Sequence, residues 1–194
     1  MTWDPDTYPT TIRAEVHDYD ELQEQVVQAT AGTTPRSILD LGVGAGETAT
    51  RVLKMHPGST LVGIDSSPEM LRGAARNLPQ DRVTLLLQEL DAPLPDQRFD
   101  LVVSALAIHH LEGRLKGKLF GDIAHVLVPG GRFVMGDVVV PEDPSEVSIE
   151  NEPGYDFPNT IAEQVTWLSG AGFVAEVVWV SGDLAVLRAE LPTR

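Results

Sequence analysis

Apolar and polar positions follow two different periods along the chain. Short, nearly continuous apolar runs are typical of buried strands, and they occur at 37–41, 59–65, 82–88, 99–107 and 132–140. Stretches with an apolar residue every three or four positions predict helices at 20–31, 47–55, 67–78, 112–127 and 160–172. A β-hairpin is predicted at the end, because Ser181-Gly182-Asp183 is a short link between two apolar runs, 173–180 and 184–191.

The alternation of strands and helices predicts an α/β fold. Strands that are apolar throughout are buried on both faces, so we expect a parallel sheet with helices on both sides. The terminal hairpin adds an antiparallel strand to this sheet. With 194 residues, the chain is long enough for one such domain with a sizeable core and short for two.

Composition narrows the choice of partners. The formal net charge of −15 opposes binding to nucleic acid or to an anionic membrane. The chain has no cysteine, which excludes disulfides, thiolate metal sites and a cysteine nucleophile, and we predict no metal site. The first residues lack the pattern of a signal peptide, and no apolar run approaches the ~18 residues of a membrane span, so we expect a cytoplasmic protein.

The stretch ILDLGVGAGET, residues 38–48, places three glycines directly after the first predicted strand. Ligands of open parallel sheets bind beyond the carboxyl ends of the strands. The spacing of Gly44, Gly46 and Ala49 formally fits the dinucleotide-binding fingerprint, although one such match is a weak signal. A phosphate-binding P-loop is excluded, because no Gly-Lys-Ser/Thr follows the glycines.

Acidic residues around the turn discriminate between these ligands. Glu47 places a carboxylate at the amino end of the next helix, where a pyrophosphate would bind, and Asp40 adds a second just before the turn. Both charges favour a ligand with a positive group nearby, such as an amine or a sulfonium. Asp65 ends the second strand, about 20 residues beyond the turn, where a carboxylate can accept hydrogen bonds from a ribose diol.

A third acidic position follows the third strand in LQELDAPLP. Glu89 could accept a hydrogen bond from the exocyclic amine of an adenine, and Leu90 and Met70 could supply apolar faces for the ring. Together with Asp65, these residues predict a site for an unphosphorylated nucleoside.

These motifs together resemble the class I S-adenosylmethionine-dependent methyltransferases. The matching pieces stand in the family's order: ILDLGVGAGET, LVGIDSSPEML, LQELDAPLP, FDLVVSALAIHHL, VLVPGGRFVMGD and the closing hairpin. The resemblance implies a Rossmann-like seven-stranded sheet in the order 3-2-1-4-5-7-6, with strand 7 antiparallel. It also implies S-adenosylmethionine as the methyl donor and S-adenosylhomocysteine as the product. Glu89 departs from the family, which more often has aspartate there.

The resemblance assigns the donor-binding residues by position. The expected donor contacts in the core are Asp40, Gly42, Gly44, Asp65, Ser66, Met70, Glu89, Leu90 and Ser104. The segment 1–35 is similar to the N-terminal cap of small bacterial members, and Tyr8 and Arg13 are expected to fold with it over the donor. The single domain 1–194 then divides into this cap, a donor-binding core at 36–140, an acceptor lid at 141–159, and a C-terminal helix and hairpin at 160–194.

Residues near the ends of the fourth and fifth strands predict where the methyl acceptor binds. His109 and His110 directly follow the fourth strand, and Asp137 at the end of the fifth could orient one of them as a base. The lid 141–159 carries six acidic residues and no Lys or Arg. We therefore expect a neutral or cationic small-molecule acceptor, methylated on oxygen or nitrogen by in-line transfer.

Other functions share parts of this pattern. A nicotinamide-dependent oxidoreductase has a similar glycine turn, although Glu47 and Asp40 disfavour its pyrophosphate. A protein that binds S-adenosylmethionine without catalysis would keep the donor residues, and a tRNA-modifying methyltransferase could have a similar cap. The chain is expected to act as a monomer or a homodimer, without nucleic acid or membrane as partner.

Overall fold

A computed structural model describes residues 4–193. The helices are α1 (Tyr8–Glu15), α2 (Tyr19–Ala29), α3 (Glu47–Met55), α4 (Pro68–Asn77), α5 (Gly113–Val126) and α6 (Ile161–Gly170). The strands are β1 (Ser37–Leu41), β2 (Thr60–Asp65), β3 (Val83–Leu87), β4 (Phe99–Ala105), β5 (Leu127–Val140), β6 (Asn159–Thr160), β7 (Val174–Ser181) and β8 (Leu184–Glu190). Two single turns of 3-10 helix lie at Ile108–His110 and Pro144–Glu146.

The sheet confirms the predicted Rossmann-like architecture. Seven strands follow the order β3-β2-β1-β4-β5-β8-β7, and β8 runs antiparallel to both of its neighbours. The prediction missed the two-residue β6, which pairs with β5 in parallel. Its presence shifts the numbering, so that the predicted strands 6 and 7 are β7 and β8.

The fifth strand is longer than the sequence pattern predicts. Pro129-Gly130-Gly131 was expected to form a turn before it, but β5 already begins at Leu127, which pairs with Phe99. The register between β4 and β5 shifts at this point, as in a bulge. Gly130 has φ +77°, and a Cβ on Gly131 would lie 2.8 Å from the carbonyl oxygen of Val128. The glycines therefore let the strand bulge here and continue.

Helices cover both faces of the sheet. On one face α2 packs so closely on β5 that a Cβ on Gly136 would lie 2.4 Å from Val26 Cγ2. On the other face, the rings of Phe120, Phe133 and Phe173 form a continuous aromatic row, with centroids 5.9 and 6.3 Å apart. These two buried layers fix the orientation of β1, β4 and β5, whose carboxyl ends carry the predicted site residues. Among the described residues, no helix is both long and apolar enough to cross a membrane.

The N-terminal residues form a helix that the apolar pattern did not predict. In α1 only Ile12 is buried, so this short helix has little periodicity of its own. The segment before it packs on α4, where a Cβ on Gly73 would lie 2.5 Å from Pro5 Cβ. Tertiary contact with the core, more than helical propensity, therefore accounts for its position over the carboxyl edge of the sheet.

Candidate active site

The glycine turn between β1 and α3 is tightly constrained. The N–H groups of Gly42 and Val43 both donate to the carbonyl oxygen of Ile64, at 2.9 Å each. Gly42 has φ +73°, and a Cβ there would lie 2.3 Å from the Cβ of Ala107. Gly44 has φ +53°. Both conformations are costly for residues with a side chain, so glycine is required for this path of the backbone.

Asp65 connects this turn to the next strand. Its Oδ2 accepts a hydrogen bond from the Gly44 N–H at 2.8 Å, and its Oδ1 accepts one from the Ser67 N–H at 2.8 Å. Burial raises the pKa of Asp65, and the N–H donors of Ser67, Gly44 and Ser66 partly offset this rise. The helix cap of α4 is Ser67, whose hydroxyl accepts from the Met70 N–H. Asp65 is therefore not needed as that cap.

Asp40 in β1 is buried without a partner. It is 1% exposed, and neither of its carboxylate oxygens has a hydrogen-bond partner among the described residues. Burial, with a smaller contribution from the charge of Asp65, raises the pKa of Asp40 to about 8. A buried polar group without a partner costs about 1–3 kcal/mol. This position beneath the glycine turn thus favours the approach of a cationic or hydrogen-donating group.

One cavity of about 1060 Å³ joins most of the predicted site residues. Those that line it are Tyr8, Gly42, Gly44, Asp65, Ser66, Met70, Glu89, Leu90, His109 and His110. A smaller cavity of about 270 Å³ lies on the other side of the turn and shares Tyr8, Gly42 and Gly44 with the first. The volume of the large cavity is at the upper end of the range of small-molecule sites.

Four predicted residues do not line either cavity: Asp40, Ser104, Arg13 and Asp137. Asp137 contacts His109, which lines the large cavity, and Asp40 comes two residues before Gly42, which lines both. Ser104 is fully buried in β4, and its hydroxyl donates to the Leu41 carbonyl at 2.8 Å, which joins β4 to β1. Its surroundings indicate a structural role instead of the expected donor contact.

Arg13 lies in an ion-pair network on the outer side of the cap. Its guanidinium donates to Asp20 Oδ1 at 2.8 Å and to Glu47 Oε1 at 3.3 Å, and it lies over the ring of Tyr19 at 4.9 Å. Arg51 donates to the same Glu47 oxygen at 2.9 Å. The charge of Glu47 is therefore paired, which weakens the argument that its carboxylate would repel a pyrophosphate.

His109 is held by a buried carboxylate behind it. Its Nδ1 lies 2.5 Å from Asp137 Oδ1, and its backbone N–H donates to Asp137 Oδ2 at 3.0 Å. Burial by itself raises the pKa of Asp137, but His109, the Val138 N–H and the charge of Lys116 outweigh it, so the pKa is lowered. This pairing leaves Nε2 of His109 on the cavity side, 3.7 Å from Asp156 Oδ1.

His110 makes a second contact with the same lid residue. Its Nδ1 lies 2.8 Å from Asp156 Oδ1, and its ring lies 4.4 Å from the ring of Tyr155. Burial, together with the charge of His109, lowers the pKa of His110 despite the nearby carboxylates. Both histidines thus line the cavity beside Tyr155 and Asp156.

Known proteins resemble this chain in sequence and in fold. The family model described as a methyltransferase domain matches residues 38–131. An uncharacterized methyltransferase of Synechocystis is 29% identical over 162 residues, which cover 79% of this chain and 75% of that protein. These matches support a class I S-adenosylmethionine-dependent methyltransferase.

Other known proteins match this chain over shorter stretches or in fold alone. The demethylmenaquinone methyltransferase of Thermus thermophilus is 36% identical over 104 residues, 52% of this chain and 46% of that protein. The chain thus spans about half the length of this relative. Among solved structures, DhpI in complex with S-adenosylhomocysteine has a TM-score of 0.75 at 18% identity, covering 98% of this chain and 94% of that one.

The methyl donor of this family fits the residues present. S-Adenosylmethionine carries an ammonium and a sulfonium, and Asp40 supplies a buried carboxyl group without a protein partner beneath the turn. A side chain at Gly42 would collide with Ala107, which also lines the cavity, whereas glycine lets the backbone take this path. The acidic lining of the cavity and the open backbone of the turn are compatible with this cation.

Sequence reasoning missed Asp156, which lines the cavity, and two buried residues that hydrogen-bond to segment 141–159, Lys116 and Asp183. Asp156 counted only as one of several lid acids, and the buried Lys116 and Asp183 gave no periodic signal. Lys116 donates to the carbonyl oxygen of Phe157 at 2.5 Å and to Asn159 Oδ1 at 2.7 Å. Burial lowers the pKa of Lys116. A lysine on the apolar face of a predicted helix could have signalled such a buried contact.

Proposed function

We propose that this chain transfers the methyl group of S-adenosylmethionine to an oxygen or nitrogen of a small-molecule acceptor. The observation that carries the proposal is one cavity of about 1060 Å³. It has the glycine turn and Asp65 at one side and the His109–Asp137 pair at another. A donor site and a group able to activate an acceptor therefore share one space.

The donor is proposed to lie along the carboxyl ends of β1 to β3. Each oxygen of Asp65 already accepts one backbone N–H, and each has a further lone pair for a ribose hydroxyl. Glu89, Leu90 and Met70 line the adjoining wall and would enclose the adenine. Tyr8 of α1 lines both cavities and would cover the methionine part from above.

The transfer itself needs alignment more than activation of the donor. The sulfonium is already a good leaving group, so the protein mainly holds the nucleophile, methyl carbon and sulfur in line. An acceptor hydroxyl or ammonium must also lose a proton. We propose His109 as the base that takes this proton, because Asp137 orients its ring with Nε2 on the cavity side.

The charge of the cavity wall supports a neutral or cationic acceptor. Its described lining contains no Lys or Arg and eight acidic side chains: Glu15, Asp65, Glu69, Glu89, Asp91, Glu150, Glu152 and Asp156. Three of these come from the lid. An acceptor with phosphate or carboxylate groups would be repelled, whereas an amine would be attracted.

Calorimetric titration with S-adenosylmethionine, S-adenosylhomocysteine and NADH tests the donor part. We expect micromolar binding of the two sulfur nucleosides and none of NADH. Saturated protein is then screened for methyl transfer to panels of amines, phenols and phosphorylated metabolites. Binding of NADH alone would contradict the proposal, and donor binding with no turnover on any acceptor would favour a non-catalytic binding protein.

A further inference from the structure

Three side chains of types that can ligate a metal ion, His109, His110 and Asp156, converge at one side of the cavity. His109 Nε2 lies 3.7 Å from Asp156 Oδ1, and His110 Nδ1 lies 2.8 Å from the same oxygen. One ligand atom from each residue can be chosen so that all three lie within 4.8 Å of one another. Ligand distances of about 2.0–2.2 Å place two ligands of one ion about 3 to 4 Å apart. The two distances to Asp156 Oδ1, 3.7 and 2.8 Å, lie in or near this range.

The three groups are oriented by their other hydrogen bonds. His109 is held through Nδ1 by Asp137, the carboxylate–histidine arrangement that commonly supports a metal ligand. Asp156 Oδ2 accepts the Glu152 N–H at 2.7 Å, which leaves Oδ1 toward the two rings. Two imidazoles and one carboxylate thus face a common point before any ion is bound.

The surroundings favour a cation at that point. The acidic residues of the lid lie around it, and Lys116, which lies near Asp137, directs its ammonium at Phe157 and Asn159. Two imidazoles and one carboxylate are ligands typical of divalent transition metals, and three protein ligands leave positions open to water or substrate.

We propose that His109, His110 and Asp156 bind one divalent transition-metal ion whose open positions face the acceptor. The inference rests on the proposed function only in assigning this side of the cavity to the acceptor. Without an ion, Nε2 of His109 is free to take the acceptor's proton; with an ion on Nε2, the ion would instead bind the acceptor oxygen and favour loss of its proton. His109 is required in both cases. Substitution of His109 therefore cannot distinguish the two, and direct metal binding is needed.

The test uses tag-free protein, freed of metal with a chelator, and Co²⁺ as a spectroscopic probe. We expect one equivalent to bind with micromolar affinity and to give visible absorption bands of coordinated Co²⁺. His110→Gln and Asp156→Asn should weaken binding at least 100-fold, and Asp137→Asn by about 10–100-fold, as for other residues that orient metal ligands. His125→Gln, at an exposed position of α5, is the matched control and should bind as the parent protein does.

S-Adenosylhomocysteine titrations on the same samples separate the two proposals and report folding. Saturable Co²⁺ binding without nucleoside binding would support the metal site and contradict the proposed donor site. Nucleoside binding without a Co²⁺ spectrum would overturn the metal site alone. Co²⁺ binding that survives both His110→Gln and Asp156→Asn, in variants that still bind the nucleoside, would also overturn it.

Discussion

The N–H of Gly44 donates to Asp65 Oδ2 at 2.8 Å and so ties the glycine turn to the end of β2. The Asp65→Ala variant should lose both this contact and the proposed ribose contacts. We expect affinity for S-adenosylhomocysteine to fall at least tenfold and the free energy of unfolding to fall by about 1–3 kcal/mol. Calorimetry and denaturant unfolding measure the two effects.

Asp100→Ala is a matched control for this variant. Asp100 also accepts two backbone N–H groups, from Arg36 at 2.8 Å and Ser37 at 3.0 Å, but at the amino edge of the sheet. The Asp100→Ala variant should lose a similar amount of stability and keep its affinity for S-adenosylhomocysteine. Equal affinities for Asp65→Ala and Asp100→Ala would show that Asp65 does not contact the donor.

Asp40 should make the stability of the ligand-free protein depend on pH. Its pKa is about 8 in the folded protein, well above the value of about 4 for a carboxyl group exposed to water. Between these values the folded protein keeps a proton that the unfolded chain has lost, so the free energy of unfolding falls as pH rises and levels off above about pH 8. Asp40→Asn removes this titration. Its stability relative to the parent protein should therefore increase from pH 5 to pH 8 in thermal unfolding.

The same group should release a proton when the donor binds. A nearby ammonium or sulfonium favours the ionised carboxylate and lowers the pKa of Asp40. Calorimetric binding of S-adenosylmethionine at pH 7, in buffers of different ionisation enthalpy, should show release of up to one proton. Asp40→Asn should bind more weakly and release none. A binding enthalpy independent of buffer in the parent protein would contradict this assignment.

Gly42→Ala should prevent the turn from forming. The added Cβ would lie 2.3 Å from Ala107 Cβ in a backbone with φ +73°, so we expect a loss of about 2 to 4 kcal/mol and no donor binding. Gly121→Ala is the control, because its Cβ would meet no atom within 4 Å on the exposed side of α5. Helical propensity predicts that this control gains up to about 1 kcal/mol. Similar unfolding midpoints for Gly42→Ala and Gly121→Ala would show that the close contact between Gly42 and Ala107 does not restrict residue 42.

Arg13→Gln tests whether this side chain contacts the donor. Its ion pairs with Asp20 and Glu47 lie on the surface, and exposed pairs of this kind contribute about 0–1 kcal/mol. We expect a small loss of stability that diminishes at high salt, and nucleoside affinity within about threefold of the parent. A larger loss of affinity would restore the donor contact that the sequence suggested.

Asp183 should fasten the lid to the hairpin. Its Oδ2 accepts the N–H groups of Ser148 at 2.6 Å and Ile149 at 2.7 Å, and its side chain is 2% exposed. In Asp183→Ala these two amides should exchange with solvent at least tenfold faster, and KM for the acceptor should rise while donor affinity stays constant. Asp143→Ala, an exposed acid that accepts the Ser145 N–H in the same lid, is the control. Unchanged exchange at both amides would rule out the fastening.

Local sequence signals were enough to propose a donor side, since each depends on few neighbouring residues. The glycines after β1 and Asp65 after β2 can be placed from the strand pattern and one turn. The β4–β5 junction could not be predicted in this way, because its proline and two glycines favour a turn locally. Pairing of Leu127 with Phe99 across the sheet decided that the strand continues.

The sequence by itself determined the α/β class, the succession of strands and helices along the chain and the position of the glycine turn, since these follow from hydrophobic periodicity and backbone restrictions over short stretches. The order of the strands within the sheet was implied by the family resemblance. Only the tertiary structure decided that Asp137 lies behind His109, that Asp156 joins the two histidines, and that Ser104 and Arg13 lie outside the cavities. These relations join residues that are far apart in the chain. They depend on how the lid and cap pack over the sheet, which no local pattern records.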